Sequence, residues 1–246
     1  MALDHAWSAR RTFLLVGEAG IGKSRLLQEF AVGRDGIVAL RARPGDAGIA
    51  YAVLARLLRA LLAEHALPLG AARRQELALV LPELGVPVAL AGEAQRLLLH
   101  RAVDATLVDT VGAGLQAVLL DDLHFADGAS IEFVQALAQS DALAALHWGF
   151  AQRPVEAEAP LARMRAALEE AGRIETVALE PLGLAQLAQL IETLGLPELD
   201  VERLAPALLK HTGGNSMFAL ETLKDLVLSG QAATLAEGAR LALIHI

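Results

Sequence analysis

The sequence predicts an α/β fold in which a parallel five-stranded sheet is sandwiched by helices and a small helical domain follows. Three observations predict it. Short apolar runs bounded by charge, Gly or Pro recur along residues 1–180, and helical patterns separate them. Apolar runs without polar alternation are the mark of strands buried on both faces. After Pro181 the strands stop and only helical patterns remain. Alternation of strand and helix implies right-handed crossovers and hence a parallel sheet. The predicted domains are therefore 1–180 and 181–246.

The first strand is "TFLLV" (12–16), which Gly17 ends, and a helix with Leu26, Leu27, Phe30 and Ala31 on one side follows from Lys23. "GIVALRAR" (36–43) reads as a second strand that Pro44 stops. Helical patterns cover 51–62, about 71–81 and about 93–109, with the two prolines of "PELGVPVALAG" marking an irregular connection between the last two. "LQAVLLDD" (115–122) is a third strand that ends in two carboxylates, and "GASIEFVQALAQS" (128–140) is a helix. "ALHWGFAQ" (145–152) is a fourth strand, a helix returns at about 160–171, and "RIETVALE" (173–180) is the fifth strand. Segments 184–195, 202–214 and 216–230 are helices without strands between them.

Composition narrows the function. Of 246 residues 54% are hydrophobic and only 4% aromatic, so Leu, Ala and Val must build the core. A formal net charge of −8 argues against a broad basic face, so direct nucleic-acid binding is not expected. Absence of cysteine excludes disulfides and thiolate metal sites and fits a reducing compartment. "MALDHAWSARR" lacks an apolar run of signal-peptide length. No run of about 18 apolar residues is free of charge or proline. A cytoplasmic protein with no membrane partner is expected. The seven histidines show no HExxH spacing, so no zinc site is expected.

The most specific signal is Gly17-Glu18-Ala19-Gly20-Ile21-Gly22-Lys23-Ser24, which satisfies G-x-x-x-x-G-K-[ST]. A given start position matches this pattern by chance roughly once in 30,000. A loop that wraps phosphate must turn backbone N–H groups inward, and Gly17, Gly20 and Gly22 can supply the positive φ angles. The helix from Lys23 aims its positive end at the same point. Lys23 supplies charge for the β and γ phosphates, the Ser24 hydroxyl can ligate Mg²⁺, and Arg25 completes the predicted cradle. With a strand before and a helix after, this predicts a P-loop NTPase.

A second acidic strand end is needed beside such a loop. Asp121 and Asp122 end the third strand at its carboxyl end, where ligands of open α/β sheets collect. Asp121 fits a partner of Mg²⁺, and Asp122 fits the group that orients or deprotonates attacking water. The strand at 36–43 lies between loop and acidic strand in the chain, which agrees with the ATPase type of sheet, in which another strand is inserted between the two. The only asparagine is Asn215, in "GGNSMF", so the guanine-reading N-K-x-D motif is absent and ATP is favoured over GTP.

"LLVGEAGIGKSRLLQEF" together with "VLLDDLHFAD" resembles the P-loop ATPase domain of the STAND class within the AAA+ relatives. The resemblance is closest to the ATPase modules of large LuxR-type transcriptional regulators and covers most of the chain. "FAQRP" resembles the end of their fourth strand and "HTGGNSMFALETL" their helical-domain signature. The resemblance implies that Arg153 contacts the γ-phosphate. Asp127 matches the family's last acidic position; by its place it could cap the helix that begins near Gly128. His124 reads as a packing or polar loop residue. Two features depart from the family: Ser216 stands where Pro usually follows Gly-Asn, and the Gly-Arg-Glu segment that helps to enclose adenine is missing before the loop. The chain reads as a fragment or a truncated gene product.

Three functional readings remain open. The first is an ATP-binding, Mg²⁺-dependent slow ATPase that switches partners or other domains in signalling or transcription, in some forms as a nucleotide-dependent oligomer. The second is a remodelling or loading ATPase that needs a neighbour's arginine, and the third is a non-catalytic nucleotide-binding module. A small-molecule kinase is a weaker fourth.

Overall fold

In a computed structural model of the chain, which describes residues 2–8, 11–89, 92–154, 159–195 and 200–229, the five apolar runs are strands: β1 (Thr12–Val16), β2 (Ile37–Arg41), β3 (Ala117–Asp121), β4 (His147–Gln152) and β5 (Ile174–Ala178). They form one sheet in the order β2-β3-β4-β1-β5, and every neighbouring pair is parallel. A strand is inserted between β1 and the acidic strand β3, as the ATPase type of sheet requires. It is β4, however, while the 36–43 strand sits at the edge. Sequence order says which strands exist and not which ones pair.

The helices are α1 (Ala2–Ser8), α2 (Lys23–Ala31), α3 (Ala52–His65), α4 (Ala71–Leu77), α5 (Gly92–Gly112), α6 (Gly128–Gln139) and α7 (Pro160–Glu170), then α8 (Leu184–Thr193), α9 (Val201–Thr212) and α10 (Ser216–Leu228). Contacts group the described residues of 1–16 and 23–178 into one unit, and those of 17–22 and 179–246 into another. The segment 230–246 lies outside the described residues.

Within the first unit the sheet is buried on both faces. Leu14, Val118, Leu120, Trp148 and Phe150 pack with α3, α5, α6 and α7 on one face. Phe13, Leu15, Leu119 and Ala151 pack with Leu27 and Phe30 of α2 on the other. Adjacent residues of β1 serve opposite faces because side chains alternate along a strand. The short helix α1 was not legible in the sequence, since seven residues are too few to show a period. It is held by tertiary contact: Leu3 and Ala6 are buried, and Trp7 stacks on His147 with ring centroids 4.1 Å apart. Among the described residues no helix is long and apolar enough to cross a membrane.

The second unit has its own core, built by Leu187 and Ile191 of α8, Leu204 and Leu208 of α9, and Ala219, Leu223 and Leu226 of α10.

Asp127 joins two helix starts. Its Oδ1 accepts the Ser130 N–H at 2.8 Å, which caps α6. The same oxygen accepts the Tyr51 N–H at 2.7 Å, and Oδ2 accepts the Val53 N–H at 3.4 Å, so the first turn of α3 is served too. Ser130 adds its Oγ as acceptor for the Leu54 N–H at 3.0 Å. The carboxylate is only 2% exposed, so water cannot replace it. Asp127→Ala is therefore expected to destabilise the protein by about 2–4 kcal/mol, a lost cap plus buried N–H groups left unpaired. Asp127→Asn, which keeps one oxygen acceptor, should cost less. Denaturant unfolding of the three proteins checks the order.

Candidate functional site

The loop of residues 17–22 joins β1 to α2. Gly20 has φ +76° and Gly22 φ +105°, left-handed values that side chains rarely adopt. Gly17 does not share this conformation, which corrects the expectation that all three glycines turn the loop. Its lack of a side chain serves close approach instead: a Cβ there would meet Ile21 Cγ2 at 2.9 Å and the Leu179 carbonyl oxygen at 3.1 Å. Glu18 and Ala19 are exposed, and the Ile21 side chain is buried.

The outer side of the loop is held by the start of α10. The Asn215 Nδ2 donates to the Ala19 carbonyl at 2.7 Å. The Ser216 hydroxyl donates to the Gly20 carbonyl at 2.9 Å, and the Met217 N–H reaches the same oxygen at 3.0 Å. Asn215 Oδ1 also caps α10 by accepting the Met217 and Phe218 N–H groups at 3.2 and 3.3 Å. A Cβ on Gly20 would lie 2.8 Å from Asn215 Oδ1. Ser216 thus supplies a bond that a proline at this position could not make.

At the start of α2, Lys23 is only 5% exposed. Arg25 projects away and pairs with Glu29 on the helix surface, so the structure does not bring it to the other predicted residues. Ser24 does meet one of them, Asp121. It lines a cavity of about 180 Å³ together with Gln28, Arg41 and Asp121.

β3 ends at Asp121, and Asp122 follows in the left-handed region with φ 51° and ψ 37°. Asp tolerates this conformation better than most residues. The turn separates the two carboxylates. Asp121 stays on the cavity with Ser24, while its Oδ1 accepts the Asp122 N–H at 2.8 Å. Asp122 is buried, at 6% exposure, and paired with a residue that the sequence did not single out. Arg41 Nε donates to Asp122 Oδ2 at 2.6 Å, its Nη2 contacts the same oxygen, and Nε lies 3.8 Å from Asp121 Oδ2. The Arg41 guanidinium is raised above its usual pKa by the hydrogen bond to Asp122 first and by that residue's charge second. Only the register of β2 on β3, which sets Arg41 opposite Asp121, brings the pair together.

β4 ends between β1 and β3. Its last residue, Gln152, pairs in register with Val16, is 0% exposed, and has no partner for either amide atom. A buried polar end on an apolar strand was the available signal. Arg153 follows, and its guanidinium carbon lies 5.9 Å from the centre of the Phe125 ring.

A donor set of one hydroxyl and one carboxylate on a small cavity fits Mg²⁺, which usually takes one or two protein ligands and completes its shell with water and substrate phosphates. Among the described residues no group of three or more His, Asp or Glu could hold a metal by itself.

A parallel sheet with a glycine-rich loop between β1 and α2, and an acidic end on a strand one removed from β1, defines a P-loop NTPase. More narrowly, the model of the AAA ATPase domain matches residues 2–150, and the chain belongs to that family. No curated protein matches it. Among solved structures it is similar to the ORC2 protein of Aeropyrum pernix in its ADPNP and ADP complexes, with a TM-score of 0.56 and 14% identity over 99% of this chain and 67% of that chain. A Walker-type ATPase of Pyrococcus abyssi gives 0.50 and 18% over 96% of this chain and 74% of its own. The Aeropyrum pernix ORC1 protein in complex with DNA gives 0.51 and 17% over 100% of this chain and 61% of that chain. At these identities the likeness is one of fold.

Asn215→Ala removes both the cap of α10 and the bond to Ala19. Stability is expected to fall by about 1–2 kcal/mol, and amide exchange across residues 18–22 should speed up more than in the sheet. Hydrogen exchange of the ligand-free protein measures both.

Proposed function

We propose that the chain is an ATP-binding, Mg²⁺-dependent ATPase module of the STAND type, acting as a nucleotide-controlled switch in a cytoplasmic signalling or transcription-regulatory protein. One observation carries the reading: Lys23 and Ser24 open α2 directly after two left-handed glycines, and Ser24 shares a cavity with Asp121. A lysine at a helix N-terminus stands where the helix dipole is already positive. A polyphosphate bound there would meet the lysine charge and the helix N-terminus together.

In this reading the N–H groups of Gly17–Gly22 cradle the phosphates and Lys23 takes the β and γ oxygens. Ser24 and Asp121 would hold Mg²⁺, which neutralises charge on the phosphates. Asp122 orients the attacking water. Its pairing with Arg41 supports slow turnover, because a carboxylate already bonded to a guanidinium has fewer lone pairs for a water proton. Arg153 contacts the γ-phosphate. The switch follows from the one difference between ATP and ADP, since a ligand shifts an equilibrium only by its differential affinity for the two states. A net charge of −8 speaks against a DNA-binding role for this segment.

Mg-ATP should raise the melting temperature of the parent, because a ligand that binds only the folded state stabilises it. Lys23→Ala should lose most of that rise while folding normally; an equal rise would sink the assignment. Asp122→Asn, which suits the left-handed conformation, should keep nucleotide affinity and lose about 100-fold or more of any turnover, as phosphate-release assays would show.

A further inference from the structure

His124 stands where the ends of β3 and β4 meet. Its side chain is 11% exposed, and three contacts define its place. Nδ1 accepts the Arg153 main-chain N–H at 3.5 Å. The same nitrogen lies 4.0 Å from Asp122 Oδ1. The ring packs on Phe125 with centroids 4.1 Å apart, and Phe125 in turn lies beneath the Arg153 guanidinium. Arg153 is therefore held twice from the turn after β3, through its main chain by His124 and through its side chain by the ring that His124 packs against.

The charge state suits this task. Burial, first, lowers the His124 pKa; Asp122 opposes, Arg153 and Lys23 add to the lowering, and Asp121 opposes weakly. The lowering favours the neutral ring, in which Nδ1 can accept the Arg153 N–H. Pro154 helps from the other side, because the residue before a proline is biased towards extended backbone.

We propose that His124 is the positioning residue for Arg153 and so sets how sharply the site distinguishes a nucleoside triphosphate from a diphosphate. The proposal rests on the reading of Arg153 as the contact to the γ-phosphate and deepens it. A charge-assisted hydrogen bond to phosphate is strong only when donor and acceptor are aligned. An arginine released at its main chain spreads over many rotamers and loses that alignment. His124 itself does not touch nucleotide; it acts through Arg153.

Two variants separate its roles. His124→Phe fills the same space without an acceptor. His124→Asn keeps an oxygen near the position of Nδ1. Dissociation constants for ADP and for a non-hydrolysable ATP analogue, each with Mg²⁺, are measured by calorimetry, and exchange of the Arg153 amide is followed by NMR without nucleotide. The expected result is that His124→Phe weakens the analogue by roughly tenfold, leaves ADP affinity unchanged and speeds exchange of the Arg153 amide, while His124→Asn recovers both. Unchanged preference and exchange in His124→Phe would reduce His124 to packing and overturn the proposal. Equal weakening of ADP and analogue would overturn it too, as a general loss of the site. If the parent does not separate analogue from ADP, the reading of Arg153 as a γ-phosphate contact fails and takes this proposal with it, a result that exchange data on the variants cannot mimic.

Discussion

The polar edge of the first unit depends on β4 running parallel between β1 and β3. In a parallel sheet every strand finishes at the same edge, so side chains far apart in sequence end side by side. Val16, Gln152 and the Asp121–Asp122 pair are brought together this way, across 106 positions of chain between Val16 and Asp122. The five strands spend their apolar residues on two buried faces. The polar residues Arg41, Asp121, Asp122 and Gln152 stand at or just past the carboxyl ends of their strands.

Charge buried at that edge is handled by pairing. Asp122 has little access to water and takes Arg41 from the edge strand. Removing Arg41 would leave the buried Asp122 carboxylate uncompensated, whereas Arg41 itself is largely exposed to water. Asp127 is as buried, yet it is served by three main-chain N–H groups instead of a cation. The two aspartates lie five positions apart in one loop, and their surroundings set them apart: Asp127 has its acceptor capacity used up by helix starts, while Asp122 faces the guanidinium of Arg41 and the ring of His124.

The second unit accounts for the glycine at position 20 of the loop. Asn215 and Ser216 draw in the carbonyls of Ala19 and Gly20, and such approach leaves no room for a side chain on Gly20. Asn215 does this while capping its own helix, so one side chain settles both the start of α10 and the outer face of the loop.

Much of this was legible in the sequence. The loop motif was, because phosphate-binding loops need glycine, lysine and serine at set spacings. The five strands and most helices were, because apolar period reports burial directly. The acidic end of β3 was, because two carboxylates closing an apolar run mark the point where the chain leaves the core. The partners were not. That Arg41 meets Asp122, that Gln152 is buried beside Val16, that the Arg153 N–H meets His124, and that Ser216 bonds the Gly20 carbonyl all depend on which segments are neighbours and in what register. So does the identity of the inserted strand, β4. Sequence by itself determined the elements and the chemistry each end carries, since those follow from local composition and spacing; tertiary structure alone decided which ends meet, because strand order and register are set by packing between segments that share no sequence neighbourhood.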